Sequence, residues 1–162
     1  MNLLGIDIGG TKTAISLGDE SGTIRRSVRW PSVPDPDAYC RRLLAECRAL
    51  VADAGLTLKD VAAAGISAPG PLSVARGLLL APVNNPTFVD LPIVRIVGEG
   101  LGMPVHFNND ANAAALAEWL YGEHRGTPNL IYLTFSTGMG GGVIVNGHLL
   151  QGNADSAGEF GH

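Results

Sequence analysis

Three strand-length runs fill the first thirty residues, and only turn residues separate them. NLLGIDI is apolar with one aspartate, TKTAISLGD alternates between small or polar and apolar residues, and GTIRRSVRW is a third such run. The joints are Gly9-Gly10 and the stretch GDESG, both turn chemistry with no room for a helix. Strands joined by tight turns pair antiparallel, so the chain is committed at its start to a β-meander.

After Trp30 the period changes. Pro31 to Pro36 is a break, and Asp35-Pro36 reads as a helix cap followed by proline at the first helical position. The helix is expected to run to about Ala54 and stop at Gly55. Tyr39, Leu43, Cys47, Leu50 and Val51 share one side at helical spacing, while Arg41, Arg42, Arg48 and Asp53 read as solvated. VAAAGIS, Val61 to Ser67, is a short buried strand ended by the loop APGP. The region from Gly77 to Val97 reads as irregular, with a short helix from about Pro92 to Gly100. MPVHFNN is another strand, and Asp110 to about Glu123 a helix. Asn129 to Phe135 is the most β-prone run, STGMGGG comes next, and VIVNGHLLQG reads as two strands about an Asn-Gly turn. The order predicts an α/β domain with a mixed sheet, after which the last thirty residues open a second copy of the same plan.

Composition narrows the function. The 162 residues suffice for one domain with a real core, and 46% are hydrophobic. A formal net charge of −4 with no strongly basic stretch argues against nucleic acid as a partner. No segment has the unbroken apolar length of a membrane helix, and MNLLGIDIGG lacks the charged opening of a signal peptide. Cys40 and Cys47 lie two helical turns apart, too distant for an easy bridge, and read as reduced cysteines on a packed face. The expected compartment is the cytoplasm.

Four places carry the candidate chemistry. In GIDIGGTKT, Asp7 ends a strand and Gly9-Gly10 let backbone N–H groups approach an anion, with Thr11 and Lys12 adding hydroxyl and ammonium donors. The phosphate-loop pattern G-x-x-x-x-G-K-[ST] is not met, because Thr11 intrudes and a strand comes after the loop. A plain Gly-Gly hairpin is the alternative, and the aspartate before it favours a metal–phosphate site. STGMGGG repeats the construction, so the two hairpins suggest two jaws on one polyphosphate. At FNNDANAAALAEWL, Asn109 or Asp110 caps a helix, yet one cap needs one residue and here Asn108, Asn109, Asp110 and Asn112 crowd together. An ionised aspartate there could orient a polyol and accept a proton from one hydroxyl. Glu159 and His162 in SAGEFGH read alone as surface, His106 as a core histidine, and Asn84-Asn85 as turn formers.

Taken in order, DIGGTKT, NDANAAALAE, STGMGGGVIVNG and GEFGH resemble the ROK (repressor, open reading frame, kinase) family of sugar kinases, which includes bacterial glucokinases. The resemblance covers nearly the whole chain. It implies the actin-like ATPase fold, two ribonuclease-H-like domains about a cleft, with residues 1–128 the first and 129–162 the start of the second. It implies ATP-dependent phosphorylation of a hexose at its primary hydroxyl. Asp110 would both cap the helix and be the general base, and Asn85, Asn109, Glu159 and His162 would bind the sugar. Asp7 would lie near Mg²⁺. Gly9, Gly10, Thr11 and Lys12 would meet the nucleotide phosphates, as would Thr137 and Gly138 of the second loop. His162 also matches a family zinc ligand, whose cysteine partners are not among these residues.

Two departures from the family qualify this. Its repressors carry a helix-turn-helix before the first phosphate loop, and with that loop starting at Gly5 none is expected here. The family continues for roughly another domain after GEFGH, with the zinc motif and most of the adenine pocket. The 162-residue chain is therefore expected to be inactive alone, and either to associate through its last strands as a homo-oligomer or to be mobile from about residue 136 onward. A non-catalytic sugar-binding or regulatory module is the alternative function. An acyl-phosphate-forming kinase would leave the Asn-Asp and Glu-x-x-His sets unexplained.

Overall fold

The structure, a computed structural model, describes residues 1–135 and 139–161. The chain divides into two compact units, Met1–Phe107 and Asn108–His162. The expected meander opens the first: β1 (Asn2–Ile8), β2 (Lys12–Asp19) and β3 (Ile24–Pro31). Asn2 lies opposite Asp19 and Ile8 opposite Thr13, and β2 pairs in turn with β3. Then come α1 (Pro36–Asp53), β4 (Val61–Ala68), the short β5 (Leu72–Ser73) and β6 (Leu78–Leu79), α2 (Ile93–Leu101) and β7 (Val105–Asn109). The five-stranded sheet has the order β3-β2-β1-β4-β7, with β1 antiparallel to β2 and parallel to β4.

Strand alternation and helix period account for the core. Leu4, Ile6 and Ile8 of β1, Ile15 and Leu17 of β2 and Ile66 of β4 are buried. They join Tyr39, Leu43, Cys47, Leu50 and Val51 of α1 and Ile93, Val97 and Leu101 of α2 in one cluster. Each such aliphatic side chain contributes about 1.5–3 kcal/mol on burial. Both cysteines are free and buried, and burial pushes their thiols up, to about 11 for Cys40 and about 12 for Cys47. The alternate positions of the sheet, Gly5, Asp7, Ala14, Ser16, Gly65 and Ser67, are small or polar and more open.

Local chemistry sets the boundaries. Asp35 caps α1, its carboxylate accepting from the Ala38 N–H at 2.6 Å, and Pro36 stands in the first turn. Gly55, at φ +74°, takes the chain away from the helix end. The helix expected from Pro92 to Gly100 is α2, closed by Gly102 in the left-handed region. Three readings need correction. The span from Gly77 to Val97 is not wholly irregular before α2, since β6 pairs with β5 there. His106 is exposed rather than a core residue. Arg42, though exposed, is not merely solvated: its guanidinium lies 5.4 Å from the ring centroid of buried Trp30 and pairs with Glu46.

The second unit contains α3 (Asp110–Tyr121), β8 (Leu130–Phe135), β9 (Met139–Val145) and β10 (His148–Leu149). The strands are antiparallel in the order β10-β9-β8, and α3 packs on β8 and β9. Asn146 and Gly147, at φ 50° and 76°, form the expected two-residue turn. β9 begins at Met139, four residues before the expected Val143, so it runs through the glycines. At Gly142 the reason is closeness: a Cβ there would lie 2.5 Å from the Ala115 Cβ and 2.9 Å from the Ala111 carbonyl oxygen.

Candidate active site

Each unit carries a group of chemistry-bearing residues. In the first, β1 delivers Asp7 to the open face of the sheet, one residue before its end. Its Oδ1 accepts from the Ser67 hydroxyl on neighbouring β4 at 2.9 Å. The turn Gly9–Lys12 comes next, closed by the Gly9 N–H donating to the Lys12 carbonyl at 3.0 Å. Thr11 and Lys12 are exposed. Ser32, just past β3, donates its backbone N–H to the Thr11 carbonyl at 3.0 Å and its hydroxyl to the Gly9 carbonyl at 2.9 Å.

Asn85 reaches the same turn. It is buried, and its amide donates to the Gly9 carbonyl at 3.4 Å. Asn84 beside it lies over Gly10, where a Cβ would come within 2.1 Å of the Asn84 Cβ. The loop that the sequence offered as mere turn formers is thus in contact with the glycine turn. Ser32 and Asn84 went unrecognised as parts of this group, because nothing local in the sequence ties either to Gly9-Gly10.

In the second unit the junction of β7 and α3 separates two jobs that the sequence left open. Asn109 is the N-cap: buried, with Oδ1 accepting from the Ala111 N–H at 2.9 Å and the Asn112 N–H at 3.4 Å. The expectation that Asp110 caps the helix is therefore corrected: Asp110 is the first helical residue. It is exposed, and its Oδ1 accepts from the Ala111 N–H at 2.7 Å. The helix terminus favours its ionised form. Asn108 Oδ1 accepts from the Asn109 N–H and from Nδ2 of buried Asn112, which braces the junction.

Further along this unit, the segment Gly158–Gly161 lies on β9. A Cβ on Gly158 would come within 2.1 Å of the Gly141 carbonyl oxygen, and one on Gly141 within 2.5 Å of the Phe160 ring. Exposed Glu159 is carried between these contacts. Thr137, Gly138 and His162 lie outside the described residues.

The donor set can be tested against the implied metals. Mg²⁺ in phosphoryl-transfer sites needs one or two carboxylates, with waters and phosphate oxygens completing its shell. An exposed aspartate beside a glycine turn, with one oxygen on a serine hydroxyl, fits that demand. For zinc, no group of three or more His, Cys, Asp or Glu side chains able to hold a metal occurs among the described residues.

The two groups, a strand-end aspartate with a glycine turn in the first unit and an aspartate on a helix's first turn in the second, are accompanied by a family match over residues 3–162. The chain belongs to the ROK family. It is 35% identical over 160 residues to a glucokinase of Streptomyces coelicolor, covering 98% of this chain and 48% of that protein. It is 37% identical over 166 residues to an N-acetylmannosamine kinase of Salmonella newport, covering all of this chain and 54% of that one. A ROK family glucokinase from Streptomyces griseus, solved with glucose and AMPPNP, matches with TM-score 0.83 and 36% identity over 100% of this chain and 50% of its own. A ROK family transcriptional regulator, a homolog of the E. coli MLC protein, matches with TM-score 0.85 and 26% identity over 99% of this chain and 41% of its own. The ROK chain spans about half the length of the curated relatives it matches. Its mixed α/β architecture is the actin-like ATPase fold. No helix among its described residues is long and apolar enough to cross a membrane.

Proposed function

We propose that the protein containing this chain is an ATP-dependent hexose kinase that phosphorylates the sugar's primary hydroxyl. The observation that carries the reading is the division of labour at the head of α3. Asn109 is the buried N-cap, while Asp110, one residue later, presents its carboxylate exposed on the first turn of the helix. A helix N-terminus favours a negative charge, and a carboxylate in that form is suited to accept a hydroxyl proton.

In this mechanism Asn85, Asn109, Glu159 and His162 hold the sugar, and Asp110 takes the proton from its primary hydroxyl as that oxygen attacks the γ-phosphorus and the bond from that phosphorus to the β,γ-bridging oxygen breaks, leaving the sugar phosphate and ADP. Gly9, Gly10, Thr11 and Lys12 hold the nucleotide phosphates, with Thr137 and Gly138 from the second hairpin. Asp7 would hold Mg²⁺, which neutralises phosphate charge when bound. The rest of the rate comes from positioning the two reactants. The proposed domain division, residues 1–128 and 129–162, differs from the two compact units, which part between Phe107 and Asn108, and the proposed compartment is the cytoplasm. A role for zinc at His162 has no support among the described side chains and enters no step.

Relatives named for glucose and for N-acetylmannosamine leave the hexose open. The match to a transcriptional regulator supports a second reading, a sugar-responsive module without turnover. The test is ATP-dependent phosphorylation of a panel of glucose, mannose, fructose and N-acetylated hexosamines by the complete protein and by the 162-residue chain. Turnover by the complete protein alone is expected. Sugar binding without turnover by the complete protein would favour the module, and turnover by the short chain would refute the proposal that it is inactive alone.

A further inference from the structure

The peptide between Gly9 and Gly10 has glycine on both sides, so little in its own chemistry fixes which way it faces. Reversing a peptide plane requires the flanking residues to exchange regions of φ/ψ space, and glycine does this with little steric cost. The orientation seen here is set from outside. The Gly9 carbonyl accepts from the Ser32 hydroxyl at 2.9 Å and from the Asn85 amide at 3.4 Å. Ser32 also holds the Thr11 carbonyl through its own N–H at 3.0 Å, so one residue grips both sides of the turn.

Behind Ser32 stands a chain of hydroxyls. Thr13 Oγ1 lies 3.4 Å from Ser32 Oγ and 2.9 Å from the Tyr39 hydroxyl. Thr13 and Tyr39 are both fully buried, and the Tyr39 ring packs on Phe88 at 4.8 Å between centroids. Each hydroxyl has one hydrogen to give. With the Ser32 hydrogen on the Gly9 carbonyl, Thr13 supplies the hydrogen to Ser32, and Tyr39 supplies it to Thr13. Burial pushes the Tyr39 pKa up, which keeps that first donor protonated. The relay therefore runs one way, from Tyr39 through Thr13 and Ser32 to Gly9.

We infer that Ser32, oriented by Thr13 and Tyr39, is a positioning residue of the phosphate turn, holding the Gly9–Gly10 peptide so that the Gly10 N–H faces the nucleotide phosphates. The geometry is elementary: this peptide is trans, so its N–H points opposite to its carbonyl. Drawing the carbonyl towards Ser32 and Asn85 turns the N–H out of the turn as an anion donor. Asn84 lies over Gly10 and leaves no room for a side chain at that position. The inference rests on the reading of Gly9–Lys12 as the nucleotide-phosphate turn.

The test uses the complete protein with Ser32→Ala, Ser32→Thr and Tyr39→Phe. Affinities for the magnesium complexes of ADP and AMPPNP are measured by calorimetry, beside the affinity for the preferred sugar. Ser32→Ala is expected to weaken both nucleotides by roughly 3- to 10-fold, the worth of one hydrogen bond. Sugar affinity should change less than about twofold on the same grounds, Ser32→Thr should restore nucleotide binding, and Tyr39→Phe should weaken it less. Unchanged nucleotide affinity in Ser32→Ala would overturn the inference, as would equal losses for sugar and nucleotide. Should Ser32→Ala not fold, Tyr39→Phe decides in the same way. A parent protein that binds neither nucleotide would overturn the phosphate-turn reading itself, an outcome distinct from insensitive variants of a parent that binds.

Discussion

Asn109 and Asp110 are adjacent, both Asx residues, and equally suited to cap a helix, yet the fold gives them different work. The backbone at Asn109 is still extended, φ −62° and ψ 147°, so its side chain folds back over the first turn. One residue later the backbone is helical, and Asp110 projects outward and exposed. Asp110→Asn in the complete enzyme should therefore fold normally and bind sugar nearly as well, while kcat falls by about 10²–10⁴-fold, the usual worth of a general base. Near-normal kcat in that variant, with sugar saturating, would remove Asp110 from the mechanism. Residues of this kind were legible in the sequence because their signal is local: a carboxylate where a strand ends and a helix begins. The cap itself was not, since either neighbour satisfied the pattern. Ser32, Thr13 and Tyr39 were illegible for another reason. Their hydroxyls meet across 19 and 26 residues of chain, and no local pattern encodes such a pairing.

Elements with their own punctuation were readable from sequence. α1 carries its cap, its first-turn proline, its apolar stripe and its terminal glycine in one stretch, and its bounds agree within a residue or so. β5 and β6 have two residues each, too short for any periodicity to register. The start of β9 was hidden because glycine is a poor strand former, and a run of glycines reads as loop. Within the strand, Gly141 and Gly142 are required because neighbours occupy the space their side chains would need. Gly142 sits against Ala111 and Ala115 of α3, and Gly141 beneath Phe160. Gly142→Ala should accordingly force α3 away from β9 and cost about 1–3 kcal/mol, the range for overpacking. Denaturant unfolding of the purified variant measures this. No loss of stability would mean that the helix–strand contact is looser than these distances imply, whereas Gly55→Ala, with open space around its Cβ, would lose only through its positive φ.

At the scale of the whole molecule the second unit presents an apolar surface on one side of its sheet. Along β8, Leu130, Tyr132 and Thr134 are half-buried on the side of α3, while Ile131, Leu133 and Phe135 are 67%, 45% and 72% exposed. Three large side chains in a row at strand spacing form a continuous stripe rather than the scattered exposure that is ordinary on protein surfaces. β8 is also the last strand in the order β10-β9-β8 among the described residues, so its backbone offers unpaired groups beside that stripe. Covering it stabilises any arrangement that does so by about 25 cal/mol for each Å² of apolar surface removed from water. The 162-residue chain, purified by itself, is therefore expected to self-associate through β8 rather than remain monomeric. Sedimentation velocity over a range of concentration reads the association. Ile131→Lys combined with Phe135→Lys should abolish it without unfolding α3, because both positions face away from the helix. Amide exchange supplies the second measurement, with β8 protected in the associated parent and less so in the double variant. A parent chain that sediments as a monomer at all concentrations, with β8 strongly protected, would refute the expectation.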